Sequence, residues 1–162
     1  MTKEKYRLKP VKDVRERAKQ EQARVVAARR AQLAEAEAEL ERRRAEVVRC
    51  REAQERAREK MLTEAQGGTR AADMAAHRNH LAVLREREQE LAAAVEQQRG
   101  VVARREAELD KALADLAEAS KEVQVMERHH EAWREQRRRE DARRSQKLTD
   151  EIAAILHGRK SD

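Results

Sequence analysis

Apolar residues in the second half of the chain recur with a mean period of three and a half. Counting by sevens from Met74 gives Met74, Leu81, Glu88, Val95, Val102, Leu109, Leu116, Val123 and His130. Three residues beyond each lie His77, Leu84, Leu91, Gln98, Arg105, Ala112, Ala119, Met126 and Trp133. Thirteen of these 18 positions are apolar, where composition alone would give about seven. Such a repeat is the a and d seam of a coiled coil. The first half carries a matching seam at Val26, Leu33, Leu40, Val47, Gln54 and Met61, with Arg29, Ala36, Arg43, Cys50 and Ala57 at the offset of three. Upstream, Val11, Val14, Ala18 and Val25 run one residue out of step, which predicts a local change of supercoil near Val25.

The breaks in the pattern define two elements. Pro10 suits a helix start, so helix 1 is expected over about 11–66. Gly67, Gly68 and Thr69 form the turn, and Thr69 can cap helix 2, expected over about 70–157 with Asp73 in its first turns and Gly158 as its stop. Folding back at Gly68-Thr69 pairs positions whose numbers add to 138. Met61 then faces His77, Val47 faces Leu91 and Ala36 faces Val102. The predicted fold is all-α: residues 1–162 as a single long antiparallel two-helix coiled-coil hairpin, paired over ~55 residues and about 80 Å. Because helix 1 starts near Val11, pairing should end near Glu127 and leave a C-terminal helical overhang from Arg128 onward.

Composition narrows the function more than the fold. Ala accounts for 30 of the 162 residues, while Leu, Ile, Val and Phe together number only 26. Two large aromatics, Tyr6 and Trp133, cannot fill a globular interior. One Pro and four Gly leave too few turns for strand-rich folds. No apolar run reaches the ~18 residues of a membrane helix, and no secretory h-region opens the chain, so a soluble cytoplasmic protein is expected. The net charge of +6 is uneven. Residues 1–20 hold eight basic and three acidic side chains, residues 134–147 hold seven and three, and the remainder sums to −3. The hairpin brings these two basic stretches to its open end.

Candidate chemistry is sparse. Glu127 and His130 have the Glu-x-x-His spacing of carboxylate di-iron bundles, but no other His has Glu three residues before it. His77 and His80 could clasp a metal, yet a third ligand is missing, and a polar seam position with a surface neighbour explains them. The glycine pair lacks the Gly-Lys-Ser/Thr of a phosphate loop. Cys50 on the seam reads as a small buried hydrophobe. No metal, cofactor, small-molecule substrate or catalytic residue is expected. Arg42-Arg43-Arg44 and Arg137-Arg138-Arg139 could track phosphates, but interleaved acids and missing aromatic platforms disfavour nucleic acid.

Residues outside the heptads carry a family resemblance. The opening Tyr6-x-Leu8-x-x-Val11-x-x-Val14-Arg15-x-Arg17, the Gly68-Thr69 turn followed by Met74, His129-x-x-x-Trp133-x-Glu135 and Asp150-Glu151-Ile152 resemble the YscO branch of the YscO/FliJ family. The chain departs from that pattern at Arg7, where Pro usually follows Tyr, and at Ala132, where an acidic residue usually precedes Trp. The resemblance implies a helical-hairpin stalk of a type III secretion system, similar to the γ subunit of rotary ATPases. Such a stalk inserts into the hexameric secretion ATPase, links it to the inner-membrane export gate, and can bind chaperones of exported translocators. On that reading Arg7, Lys9, Lys12, Arg15, Arg137, Arg138, Arg143 and Arg144 contact the ring. The alternatives from other classes are a self-associating coiled-coil scaffold and a basic nucleic-acid-binding rod.

Overall fold

Proline offers no amide hydrogen and fixes its own φ, so it belongs in the first turn of a helix, where amides lack partners. In the computed structural model, which describes residues 5–158, helix α1 runs Lys9–Gln66 and so begins two residues before Val11. The carbonyls of Tyr6 and Leu8 accept the amides of Lys9 and Lys12 at 3.2 and 3.0 Å. Helix α2 runs Ala71–Gly158. The two pack against each other as an all-α helical hairpin, and no strand occurs among the described residues. None of these helices is long and apolar enough to cross a membrane.

The turn works differently from the expectation for Thr69. Gly68 takes φ +85°, the left-handed conformation that ends helices, and its amide bonds the Ala65 carbonyl at 3.3 Å. The Thr69 hydroxyl donates to the Glu64 carbonyl. It therefore closes α1 instead of capping α2, replacing the outer backbone bond of a Schellman motif. Arg70 supplies the first carbonyl of α2, accepting the Met74 amide at 3.2 Å.

The hairpin divides into two compact units, Met1–Ala23 with Ala114–Asp162, and Arg24–Leu113. In the second of these, every seam position read from the sequence is buried or half-buried. Leu40, Val47, Cys50, Leu91 and Val95 form its apolar cluster, with Val102 packed on it. Small side chains bring the backbones close, so polar seam residues can reach across to opposite carbonyls. Gln98 donates to the Ala36 carbonyl at 2.9 Å, Arg43 to that of Ala94 at 3.1 Å, and Cys50 Sγ to that of Leu84 at 3.4 Å. Gln54, only 3% exposed, donates to Leu84 O at 3.3 Å and to Glu88 Oε2 at 2.8 Å. Among the described residues no buried side-chain nitrogen or oxygen lacks a partner.

Charged side chains flank this seam in matched sets. Arg51 donates to Glu88 at 2.6 Å, and Glu108 accepts both Arg29 from α1 and Arg105 from its own helix at 2.9 Å. The Arg51 hydrogen bond first, and that of Gln54 second, hold the Glu88 carboxyl below the usual carboxylate range. Glu108 is lowered chiefly by Arg105.

In the other unit the out-of-step residues upstream of Val25 are exposed, while Val25 itself, within Arg24–Leu113, is half-buried. Val11 and Val14 are 44% and 59% exposed, Ala18 is exposed as well, and Lys12, Glu16 and Gln22 are half-buried on α1. The expected shift of supercoil, which would have turned Val11 and Val14 inward, is thus replaced by an outward apolar strip. Arg15 to Glu122 at 2.6 Å and the packing of Tyr6 on Trp133 pin α1 in this register.

Two outcomes follow. Gln98→Ala removes a buried donor and leaves a void, so it should lower stability by about 1–2 kcal/mol, whereas Gln98→Leu should stay within about 1 kcal/mol of wild type, read by thermal melts followed by circular dichroism. Glu88 has a folded-state pKa below its unfolded value, so its contribution is present above the ordinary value of 4.5 and lost as pH falls through the folded-state value. The melting-temperature gap between wild type and Glu88→Gln should therefore be widest near neutrality and close on acidification below that ordinary value.

Candidate functional site

Helical spacing sets up a platform on α2. His129, His130 and Trp133 lie within one turn, and the segment preceding α1 lays Tyr6 over them. Tyr6 is 8% exposed, the most buried aromatic of the chain. Its hydroxyl is hydrogen-bonded to His129 Nδ1 at 2.7 Å. Its ring lies 4.5 Å from His130 and 5.4 Å from Trp133, centroid to centroid, and His130 stacks on Trp133 at 5.9 Å with 20° between planes. Distances of this order suit offset and tilted aromatic packing. Beside the platform a groove of about 330 Å³ is walled by Lys5, Lys9, Lys12, Asp13 and Glu16 of the N-terminal stretch and by His130 and Trp133.

Pairing consequently extends to Trp133, past the Glu127 limit expected from a helix starting at Val11. The extra reach comes from Tyr6, which packs before α1 begins. Beyond Trp133, α2 continues to Gly158, and every residue from Asp141 to His157 is exposed.

The eight expected partner-binding residues all lie in this unit, in two groups. Arg7, Lys9, Lys12 and Arg15 line the stretch alongside Glu122 to Trp133, and Arg137, Arg138, Arg143 and Arg144 follow farther along α2. Most are already engaged. Lys9 pairs with Asp13 at 3.0 Å, Lys12 with Glu16 at 3.4 Å, and Arg15 with Glu122. Arg137 pairs with Glu140 at 3.1 Å and Arg138 with Glu135 at 2.9 Å, the latter shared with Arg139. The Glu140 carboxyl is held below its usual range by the Gln136 hydrogen bond first and by the nearby charges of Arg137 and Arg144. Arg7, Arg143 and Arg144 are exposed and make no ion pair within 4 Å among the described residues.

The other candidates take structural places. His77 Nε2 lies 2.5 Å from Glu64 Oε2 and closes the turn end of the hairpin, while His80 is exposed. His130 lies under Tyr6, and Cys50 is buried. No group of three His, Cys, Asp or Glu that could hold a metal occurs among the described residues. Sequence reasoning used Tyr6 and Trp133 as isolated markers and missed that they meet. The available signal was that the chain's two large aromatics stand at positions adding to 139, one off the pairing sum. It also missed an exposed apolar stripe at Leu148, Ile152, Ile155 and Leu156.

A family model for YscO-like proteins matches residues 3–162. The chain belongs to the YscO-like family. Its YscO-like hairpin has the fold of a solved structure, that of a proposed YscO homolog from Chlamydia trachomatis, with a TM-score of 0.80 at 22% identity over 96% of each chain. No curated protein sequence matches it. Membership in the YscO-like family points to a type III secretion-related protein.

The platform should control how firmly the N-terminal stretch is held. Tyr6→Phe loses one hydrogen bond, about 1 kcal/mol, and should speed amide exchange over residues 9–16 about fivefold. Trp133→Ala should speed it further. Amides of Leu40 to Cys50 should not change in either variant, as read by exchange mass spectrometry.

Proposed function

We propose that this YscO-like protein is a non-enzymatic stalk component of a type III secretion export apparatus. On this reading its basic end inserts into the hexameric export ATPase, and the hairpin couples that ring to the export gate at the inner membrane. It also binds chaperones of translocator proteins. The observation that carries the reading is the gathering of two basic stretches, far apart in sequence, into one unit locked by Tyr6 and Trp133. Together they hold a charge of +9, in a chain whose total is only +6. Family membership supplies the secretion context.

Electrostatics decides which residues lead. A Lys or Arg already paired within its own helix presents a reduced field to a partner; Arg7 and Arg143, exposed and without an ion pair within 4 Å among the described residues, present a fuller one, and Arg144 is offset in part by Glu140. Each exposed charge is worth only ~0.2–1 kcal/mol and is screened beyond about 10 Å at 0.1 M salt. The basic end therefore acts collectively, by steering and by summed contacts, and single substitutions are expected to be nearly silent.

The test is stimulation of ATP hydrolysis by the purified secretion ATPase encoded with this protein. Changing Arg137, Arg138, Arg143 and Arg144 together to Glu should abolish stimulation while helix content, read by circular dichroism, persists. The same reversal at Arg42, Arg49, Arg56 and Arg58, all in the other unit, should leave most of it. Equal loss from both sets, or none from either, would refute contact through the basic end.

A further inference from the structure

The last turns of α2 carry a feature that the stalk reading does not use. Leu148, Ile152, Ile155 and Leu156 recur at i, i+4, i+7 and i+8, the spacing of one helix face. All four are between 57% and 64% exposed. The chain has 26 Leu, Ile and Val residues and only two isoleucines, and both isoleucines stand here in solvent. In the heptad frame that places Val123 and His130 on the seam, these four fall at b, e and f, and none falls at a or d. The stripe is therefore not a frayed continuation of the hairpin seam.

We infer that this stripe is a docking helix for an apolar groove, acidic at one lip, on a partner protein. The size of the stripe and the charges within and beside it select that occupant. A second copy of the chain would meet the stripe with four side chains a side, far short of the roughly 20–30 residues that a stable interface recruits. A concave partner surface encloses such a helix on more than one side and gains the missing area, the helix-in-groove mode. A lipid surface is disfavoured because Asp150 and Glu151 sit between the apolar residues and no aromatic accompanies them, whereas interfacial helices carry basic polar faces and aromatic anchors.

Charge sets the direction of docking. Arg143, Arg144 and Lys147 directly precede the stripe, all exposed and with no ion pair within 4 Å among the described residues. Asp150 and Glu151 lie within it. A groove acidic at the lip that meets Arg143 to Lys147, and not at its far end, attracts the helix in one orientation and repels it in the other. Charge then steers the approach, and burial of Ile152 and Ile155 slows release.

The experiment places the photo-reactive residue p-benzoylphenylalanine at position 152, 155 or, as an outward control, 150 of the full chain, in the cell from which the sequence comes. Adducts are then identified by peptide mapping. The expected result is one protein adduct from positions 152 and 155, mapping to an apolar groove with Asp or Glu at one lip, and little from position 150. With the probe at 152, Ile155→Asp should reduce yield about tenfold, and Lys147→Glu should reduce it several-fold. Helix content should be unchanged, since these side chains are exposed. An adduct to another copy of the chain, to lipid, to a surface without such a groove, equally from position 150, or none at all would overturn the inference. A groove on a protein unrelated to secretion would leave docking intact and refute the stalk reading instead.

Discussion

Short side chains at the interface let polar residues of one helix bond the backbone of the other, and the hairpin's register depends on this. A seam of Ala, Val and Leu alone could slide by a heptad with little loss, because one small knob resembles the next. Gln98 on the Ala36 carbonyl, Gln54 on that of Leu84 and Arg43 on that of Ala94 remove this degeneracy. Sliding by a heptad would part Gln54 from Glu88 and carry Gln98 from the carbonyl of a small Ala36 to that of Arg29 or Arg43, where a larger side chain hinders the approach. The acceptors exist because a carbonyl already bonded within its helix keeps a second lone pair. Large apolar knobs at the same positions would hold the helices farther apart and put those carbonyls out of reach. The polar residues on the seam thus act as register pins, and thin packing is the condition for their working.

Pinned register in turn decides where the charge goes. With Gln54 beside Glu88, Arg51 meets the same carboxylate, and Glu108 falls between Arg29 and Arg105. Within Arg24–Leu113, Glu39, Glu41, Glu88, Glu90, Glu96 and Glu108 pair with bases on their own or the opposite helix, and acids and bases there nearly balance in number. The surplus of the chain resides in the stretches around Tyr6 and Trp133. A basic isoelectric point, which alone suggests polyanion binding, is here a local property of one unit.

The heptads made the two helices and the seam positions of Arg24–Leu113 legible, because period 3.5 is a geometric demand that side-chain chemistry cannot disguise. Legibility failed where a tertiary contact overrode a local pattern. Val11, Val14 and Ala18 look like seam residues, but Tyr6 on Trp133 and Arg15 on Glu122 hold α1 so that they face outward. Thr69 has the residue type and position of an N-cap, yet Gly68 in the left-handed region swings its hydroxyl back to Glu64. Of the expected partner-binding residues, sequence could place all eight at one end, but it could not tell Lys9, paired with Asp13, from Arg143, which has no such partner. That distinction depends on rotamers, which no periodicity records.

The persistence of α2 past Trp133 follows from cooperativity and not from packing. Nucleating a helix is the unfavourable step, and the paired part of α2 has already taken it, so each further residue adds a hydrogen bond for one pair of dihedrals. Local contacts then propagate the helix. Gln136 and Arg137 reach Glu140, Arg139 reaches Glu135, and Gln146 reaches Asp150, all at three or four residues' spacing. Each contributes only ~0.2–0.5 kcal/mol, enough to bias a helix already nucleated and too little to create one alone. The same segment detached from the hairpin would therefore be largely unfolded. The hairpin thus supplies the nucleus, and contacts within one helix carry the order on through a stretch where Leu148, Ile152, Ile155 and Leu156 stay exposed.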